Sequence, residues 1–268
     1  MKKGIIAALS ILVALAALAP GAAAISMDVD DAPAKVSILL YQDTSYVPIR
    51  AASQLMDDNA QVSWVNREAV VKTDALTLTA RPGKPYLAAN GRMLYIKDGV
   101  KLVNGTTMVP IRELCKAFGA TVAWDQEQKK VIVRRGSGSI QPAEQYYDSA
   151  AVYWLSRIIN AESATEPFRG KIAVGNVILN RVKSPLFPYS IYHVIFDTKW
   201  GVQFEPTRNG SINNMPNEDS VIAAKLCLDG ASVAADSLYF LNTAKARSLW
   251  ILLNCSYVMT IGNHQFYS

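Results

Sequence analysis

Glu162 is the residue best placed for acid–base chemistry. The stretch around it, residues 150–182, reads AAVYWLSRIINAESATEPFRGKIAVGNVILNRV, two helices joined by a turn. Leu155, Ile158 and Ile159 recur at the spacing of one buried helical face. Glu162, three and four residues beyond the isoleucines, continues that face. A carboxylate there loses water, which favours its protonated form, and a general acid needs this to keep its proton near neutral pH. The competing reading is plain: an acid at a helix end is commonly a solvated end or a cap partner. Two neighbours argue against it. Ser163-Ala164-Thr165-Glu166-Pro167 supplies turn residues straight after Glu162, where a cleft can open. Ile172, Ala173, Val174, Val177, Ile178 and Val182 then make the second helix apolar on most sides, as suits the centre of a core.

The elements that must position this acid belong to a chain of 268 residues, long enough for two domains with their own cores. Residues 1–24 have a secretory signal pattern. Met1-Lys2-Lys3 precedes the short apolar run 4–18, and Ala22-Ala23-Ala24 supplies the cleavage site. Cleavage there removes two lysines and takes the formal net charge from +5 to about +3. That suits attraction to an anionic wall and falls short of a nucleic-acid footprint. No later stretch is long enough to span a bilayer, so the expected product is secreted, bound for a bacterial cell wall or spore envelope. Cys115, Cys227 and Cys255 can close one pair at most, and Cys227–Cys255 is the pair in the second half. His193 and His264 are the only histidines and show no ligand spacing, so no metal or other cofactor is expected.

After an acidic leader, residues 25–35 with Asp28, Asp30 and Asp31, the chain repeats itself. Tyr46-Val47-Pro48-Ile49-Arg50 and Met108-Val109-Pro110-Ile111-Arg112 each open a short helix. A strand carrying Trp64 or Trp124 and a closing β-branched strand follow. Asn90-Gly91, Asp98-Gly99 and Asn104-Gly105 between the copies are hairpin signals. Residues 36–135 therefore read as a small hairpin-rich α+β domain. Its NG-x-T-x-VPIR-x-L-x-x-x-x-GA-x-V-x-W pattern resembles the copper amine oxidase N-terminal-like domain, which implies a stalk or wall-adhesion module. The stretch holds no histidine, so no copper site is expected. A spacer without a ligand is an equal reading. Gly136-Ser137-Gly138-Ser139 then opens a linker over residues 136–147 that composition marks as flexible.

Residues 148–268 form the second domain. Asn217 is placed to cap a helix that stops at Asp229-Gly230. Residues 193–201 read as irregular, 237–242 have strand character, and 250–267 read as a final hairpin turning near Gly262-Asn263. Several motifs lie here in order: R-x-I-x-AE at 157–162, then EP-x-x-GK-x-AVG-x-V-x-LNRV at 166–182, and SPLFP after it. QF at Gln203-Phe204 follows, then G-x-INN-x-PNE at 210–218 and IGNH-x-FY at 261–267. Together they resemble the SleB-type cell wall hydrolases, a family that includes the germination-specific spore cortex-lytic enzymes. The resemblance implies a mainly helical, lysozyme-like fold with a small β-hairpin region, and an α+β chain overall. It also implies cleavage of peptidoglycan glycan strands and places the catalytic acid on Glu162. The chain departs from the family pattern at Ser163-Ala164-Thr165, at Glu205 and at Leu241-Asn242-Thr243.

Glycosidases use a proton donor to the leaving oxygen, usually with a second carboxylate as base or nucleophile. Glu166 and Glu205 are the candidates for that second group. If neither is placed to help, Glu162 would serve twice, protonating the glycosidic oxygen and then accepting the proton of the muramic C6 hydroxyl. That is the lytic transglycosylase reaction, favoured here because no second acid stands out. Gln203, Phe204, Asn213, Asn214 and Asn242 are candidate sugar contacts, since amides hydrogen-bond acetamido and hydroxyl groups and an aromatic face stacks on a pyranose. Each Asn could equally be a turn or cap residue, and Phe204 could equally be core. The rival from another class is a non-catalytic wall-binding or spore-structural protein. No motif identifies an activating or accessory wall protein.

Overall fold

A computed structural model describes residues 25–244 and 250–268; the expected signal peptide lies outside the described residues. Two helices follow the Val-Pro motifs of the repeat, α1 (Ile49–Met56) and α2 (Ile111–Ala117), with Pro48 and Pro110 as their N-caps. The strands that lead into them, Thr44–Pro48 and Thr106–Pro110, lie side by side and antiparallel, with Val47 opposite Val109. The two copies are thus related by an approximate two-fold axis through this pair. Leu39–Tyr41 and Lys101–Val103 extend the sheet on either side. A five-stranded antiparallel meander runs from Gln61–Val65 to Arg92–Tyr95. Asn90-Gly91 and Asn104-Gly105 turn their hairpins with both residues at positive φ, the conformation a two-residue primed turn requires.

The acidic leader is part of this domain rather than a tail ahead of it. Ser26–Val29 pairs in parallel with Lys130–Arg134, and Met27 and Val29 enter the core. Asp28 meets Lys130 at 2.8 Å, while Asp31 and Asp30 meet Arg134 and Arg135 at 2.5 Å each.

The connector is packed, not flexible. Ile140 is buried in the N-terminal core, its N–H donating to Ala117 O at 2.9 Å, and Ser139 Oγ donates to Ala75 O at 2.7 Å. A Cβ on Gly136 would lie 2.0 Å from Gly119 O, so the close approach requires glycine. One short helix, α3 (Ala143–Tyr146), leads to Tyr147.

The second domain is mainly helical: α4 (Ser149–Ser163), α5 (Phe168–Lys183), α6 (Ile191–Ile195), α7 (Glu205–Asn209), α8 (Glu218–Leu228) and α9 (Trp250–Asn254). Helices α4, α5 and α8 pack on one another. A Cβ on Gly175 of α5 would lie 2.6 Å from Cys227 Sγ and 2.9 Å from Ile159 Cδ1, which explains a glycine where the three helices cross. Asn217 caps α8, its Oδ1 accepting from Ser220 N at 2.8 Å. A three-stranded sheet, in the order Tyr239–Leu241, His264–Tyr267, Tyr257–Ile261, closes the domain. Two expectations change. Residues 191–195 are helical, and residues 250–254 form α9 rather than the first part of the hairpin. All three cysteines are free, with Cys227 buried and Cys255 half-buried.

The domains meet across the strand Arg92–Tyr95 and α8. The Asp229 carboxylate, 1% exposed, receives the Arg92 guanidinium, the Tyr147 hydroxyl and, at 3.4 Å, Lys116 Nζ. Tyr86, Met93 and Tyr95 of the first domain pack against the core of the second.

Candidate active site

Leu155, Ile158 and Ile159 of α4 are fully buried, and Glu162 extends their face to a half-buried position one residue before the helix ends. Burial pushes the Glu162 carboxyl up from 4.5 to about 7, and the charge of Glu205 adds to the shift. A group with this pKa is ready both to give and to take a proton near neutral pH.

The end of α4 is held by a side chain from α5. Lys171, 3% exposed, donates from Nζ to Ser163 O at 2.5 Å and to Ala164 O at 2.6 Å. A cation on the last carbonyls satisfies acceptors the helix leaves open and opposes its dipole. Ser163 Oγ bonds back to Ile159 O at 2.5 Å. Asn160 Oδ1 accepts from Asn217 N at 3.1 Å and from Ser220 Oγ at 3.3 Å, tying α4 to the start of α8. The turn that bears Glu162 is therefore fixed from two sides.

Glu166 does a different job from the one its spacing suggests. Burial opposes its ionisation, but hydrogen bonds from the Asn263 N–H and side-chain amide, with His264 and Lys171 adding, outweigh it and hold its pKa below the ordinary value. Both bonds are 2.9 Å. A Cβ on Gly262, at φ 60°, would lie 2.1 Å from Glu166 Oε2. Glu166 thus fastens the Gly262-Asn263 hairpin to the end of α4. Glu205 is exposed at the first position of α7, which packs on α4, and its carboxylate pairs with Arg208 at 2.7 Å.

The expected sugar contacts divide. Phe204 is 3% exposed and lies in the core against Phe240, ring centres 6.3 Å apart, so it offers no face to a ligand. Gln203 is half-buried, its Oε1 accepting from Arg181 Nη1 at 3.3 Å. Asn213 and Asn214 are exposed beside a 3-10 turn, Ser211–Asn213, that also packs on α4; their amides hold no partner among the described residues. Asn242 accepts from Ala244 N at 3.1 Å through Oδ1. Sequence reading missed Lys171, Asn160 and Arg181. Buried Arg181 donates from Nε to Leu238 O at 2.7 Å, and burial pushes its pKa down to about 10. A basic residue in an apolar helical run was the available signal for Lys171 and Arg181. Among the described residues no cluster of three His, Cys, Asp or Glu side chains is placed to hold a metal ion.

Residues 165–267 match the family model for the cell wall hydrolase, and residues 27–133 match that for the copper amine oxidase N-terminal domain. Glu162 lies just ahead of the first stretch, and the second includes most of the acidic leader. The spore cortex-lytic enzyme of Bacillus subtilis (strain 168) is 35% identical over 112 residues, 42% of this chain and 35% of that protein. That of Bacillus cereus is 32% identical over 120 residues, 45% of each. The chain spans less than half the length of these curated relatives. Among solved structures, the catalytic domain of the germination-specific lytic transglycosylase SleB from Bacillus anthracis is 32% identical. The match covers 46% of this chain and 97% of that one, with a TM-score of 0.42.

Proposed function

Since this chain belongs, through its C-terminal domain, to the cell wall hydrolase family, we propose that it cleaves the glycan strand of peptidoglycan with Glu162 as the general acid and base. The observation that carries the reading is the half-buried carboxylate at the end of α4, raised to about 7 by burial and by Glu205. Protonated Glu162 gives its proton to the glycosidic oxygen as the bond from C1 of the muramic residue breaks. The carboxylate so formed takes the proton of the C6 hydroxyl, and O6 closes on C1. The proton lost in the first step returns in the second, and the product is a 1,6-anhydro end made without water.

The single-acid course suits the positions of the other two carboxylates. Glu166 is engaged by Asn263, and Glu205 is an exposed ion-paired neighbour that acts on Glu162 through its charge. Spore cortex and vegetative wall both contain the bond to be cleaved. Export to the wall follows from the expected signal segment.

The test is digestion of purified sacculi, vegetative and spore cortex, with mass spectrometry of the products and Glu162→Gln in parallel. Anhydromuramic ends that vanish in the variant are expected. Reducing ends would instead mean hydrolysis, and intact glycan from both substrates would leave a wall-binding protein.

A further inference from the structure

We propose that the N-terminal domain carries a saccharide site of its own, an open cavity formed by α1, the strand Gln61–Val65 and the Gly105–Thr107 turn. Its ligand is an amino sugar bearing a carboxylate. The cavity measures about 420 Å³, within the ~300–1,000 Å³ typical of small-ligand sites. Trp64 stands at its wall, 54% exposed. A half-exposed Trp alone means little. Here the indole lines a concavity together with exposed polar groups from two other elements: Arg50 and Gln54 on α1, and Thr106 after the turn.

The second copy of the repeat serves as an internal comparison. There Trp124 Nε1 donates to Gln126 Oε1 at 2.7 Å, and Lys116 of α2, the counterpart of Gln54, reaches Asp229 across the domain interface. In the first copy the Trp64 indole N–H and the Gln54 amide have no partner among the described residues. The second copy has thus engaged its indole N–H and the side chain at the position of Gln54, whereas the first leaves both at the cavity; Arg50 and its counterpart Arg112 are exposed in both copies.

The chemistry of these groups selects the ligand. An indole face takes the C–H face of a pyranose. Arg50, at the rim, offers a planar fork for a carboxylate. Gln54, one helical turn on, points the same way and, with Thr106, can bond hydroxyl and acetamido groups. A neutral sugar would leave Arg50 unpaired. The choice of an N-acetylmuramic-type sugar rests on the glycan-cleaving reading above.

Binding is measured by titration calorimetry on the full chain carrying Glu162→Gln, so that nothing is cleaved. The probes are the disaccharide of N-acetylglucosamine and N-acetylmuramic acid, and diacetylchitobiose, which lacks the carboxylate. The expected result is a site for the acidic disaccharide that Trp64→Ala or Arg50→Gln weakens by about tenfold or more. Trp64→Phe should retain most of the affinity, and Trp124→Ala all of it, while diacetylchitobiose should bind that site about tenfold more weakly. An isotherm unchanged by Trp64→Ala and Arg50→Gln, or equal affinity for the two sugars, overturns the proposal. Cleavage of sacculi by the unaltered chain is read separately. Cleavage without this binding sinks the N-terminal site alone, and binding without cleavage sinks the enzyme reading alone.

Discussion

Glu166 holds Asn263 by two hydrogen bonds of 2.9 Å, one from the backbone N–H to Oε2 and one from the side-chain amide to Oε1. The two residues are 97 positions apart, and their contact joins the turn after α4 to the last hairpin. Glu166→Ala should therefore lower stability by about 1.5–3 kcal/mol, the net worth of hydrogen bonds to a charged group, as read from denaturant midpoints. The pH dependence has a definite sign. The folded pKa lies below the unfolded one, so the contribution is present above about 4.5 and is lost as pH falls through the depressed folded value. Wild type and Glu166→Ala should converge in stability in acid.

Glu162 has the opposite sign. Its carboxyl is raised to about 7, first by burial and then by Glu205, so the folded state binds more protons than the unfolded chain between about 4.5 and 7. Stability should fall as pH rises through that window. Glu162→Gln should raise Tm above pH 7 and leave it unchanged near pH 4, as a thermal scan would report. In catalysis the acid must hold its proton, so the rate should decline above about 7. Glu205→Gln removes the repelling charge and should move that decline to lower pH, measured as the pH profile of anhydromuramic product release. An unmoved profile would exclude Glu205 from the site.

Asp229 joins the domains. Asp229→Ala leaves the Arg92 guanidinium buried beside Tyr146 with its carboxylate removed, and should cost about 3–5 kcal/mol. The change should appear as separate unfolding transitions for the two domains in place of one. Arg92→Met combined with Asp229→Leu should recover part of the loss, because replacing both charges leaves neither stranded.

What the sequence displayed, and what it hid, follows range. The repeat, the Val-Pro helix starts, the Asn-Gly hairpins and the Asn217 cap are local devices, and each stands where its residues place it. Glu162 was legible because three apolar neighbours on one helix report its surroundings. The role of Glu166 was not, since its partner lies in a distant hairpin. Asp229 looked like a helix stop, which it is, and nothing nearby announces Arg92. Ile140 is a single apolar residue after a Gly/Ser run, too little signal to mark a packed segment. Trp250-Ile251-Leu252-Leu253 is a short apolar run, and periodicity cannot separate helix from strand at that length.

The antiparallel meeting of Val47 with Val109 is the geometry by which two identical subunits form a closed dimer. Here both partners belong to one polypeptide, joined by residues 73–100. A true homodimer must alter both of its faces at once, whereas a fused pair can change one side and keep the other. The two halves have diverged in that way: one supplies Lys116 to anchor a neighbouring domain, and the other has Gln54 at the same position, exposed beside the Trp64 cavity. One side of the fused pair is thus free to anchor the neighbouring domain while the other stays open to a ligand.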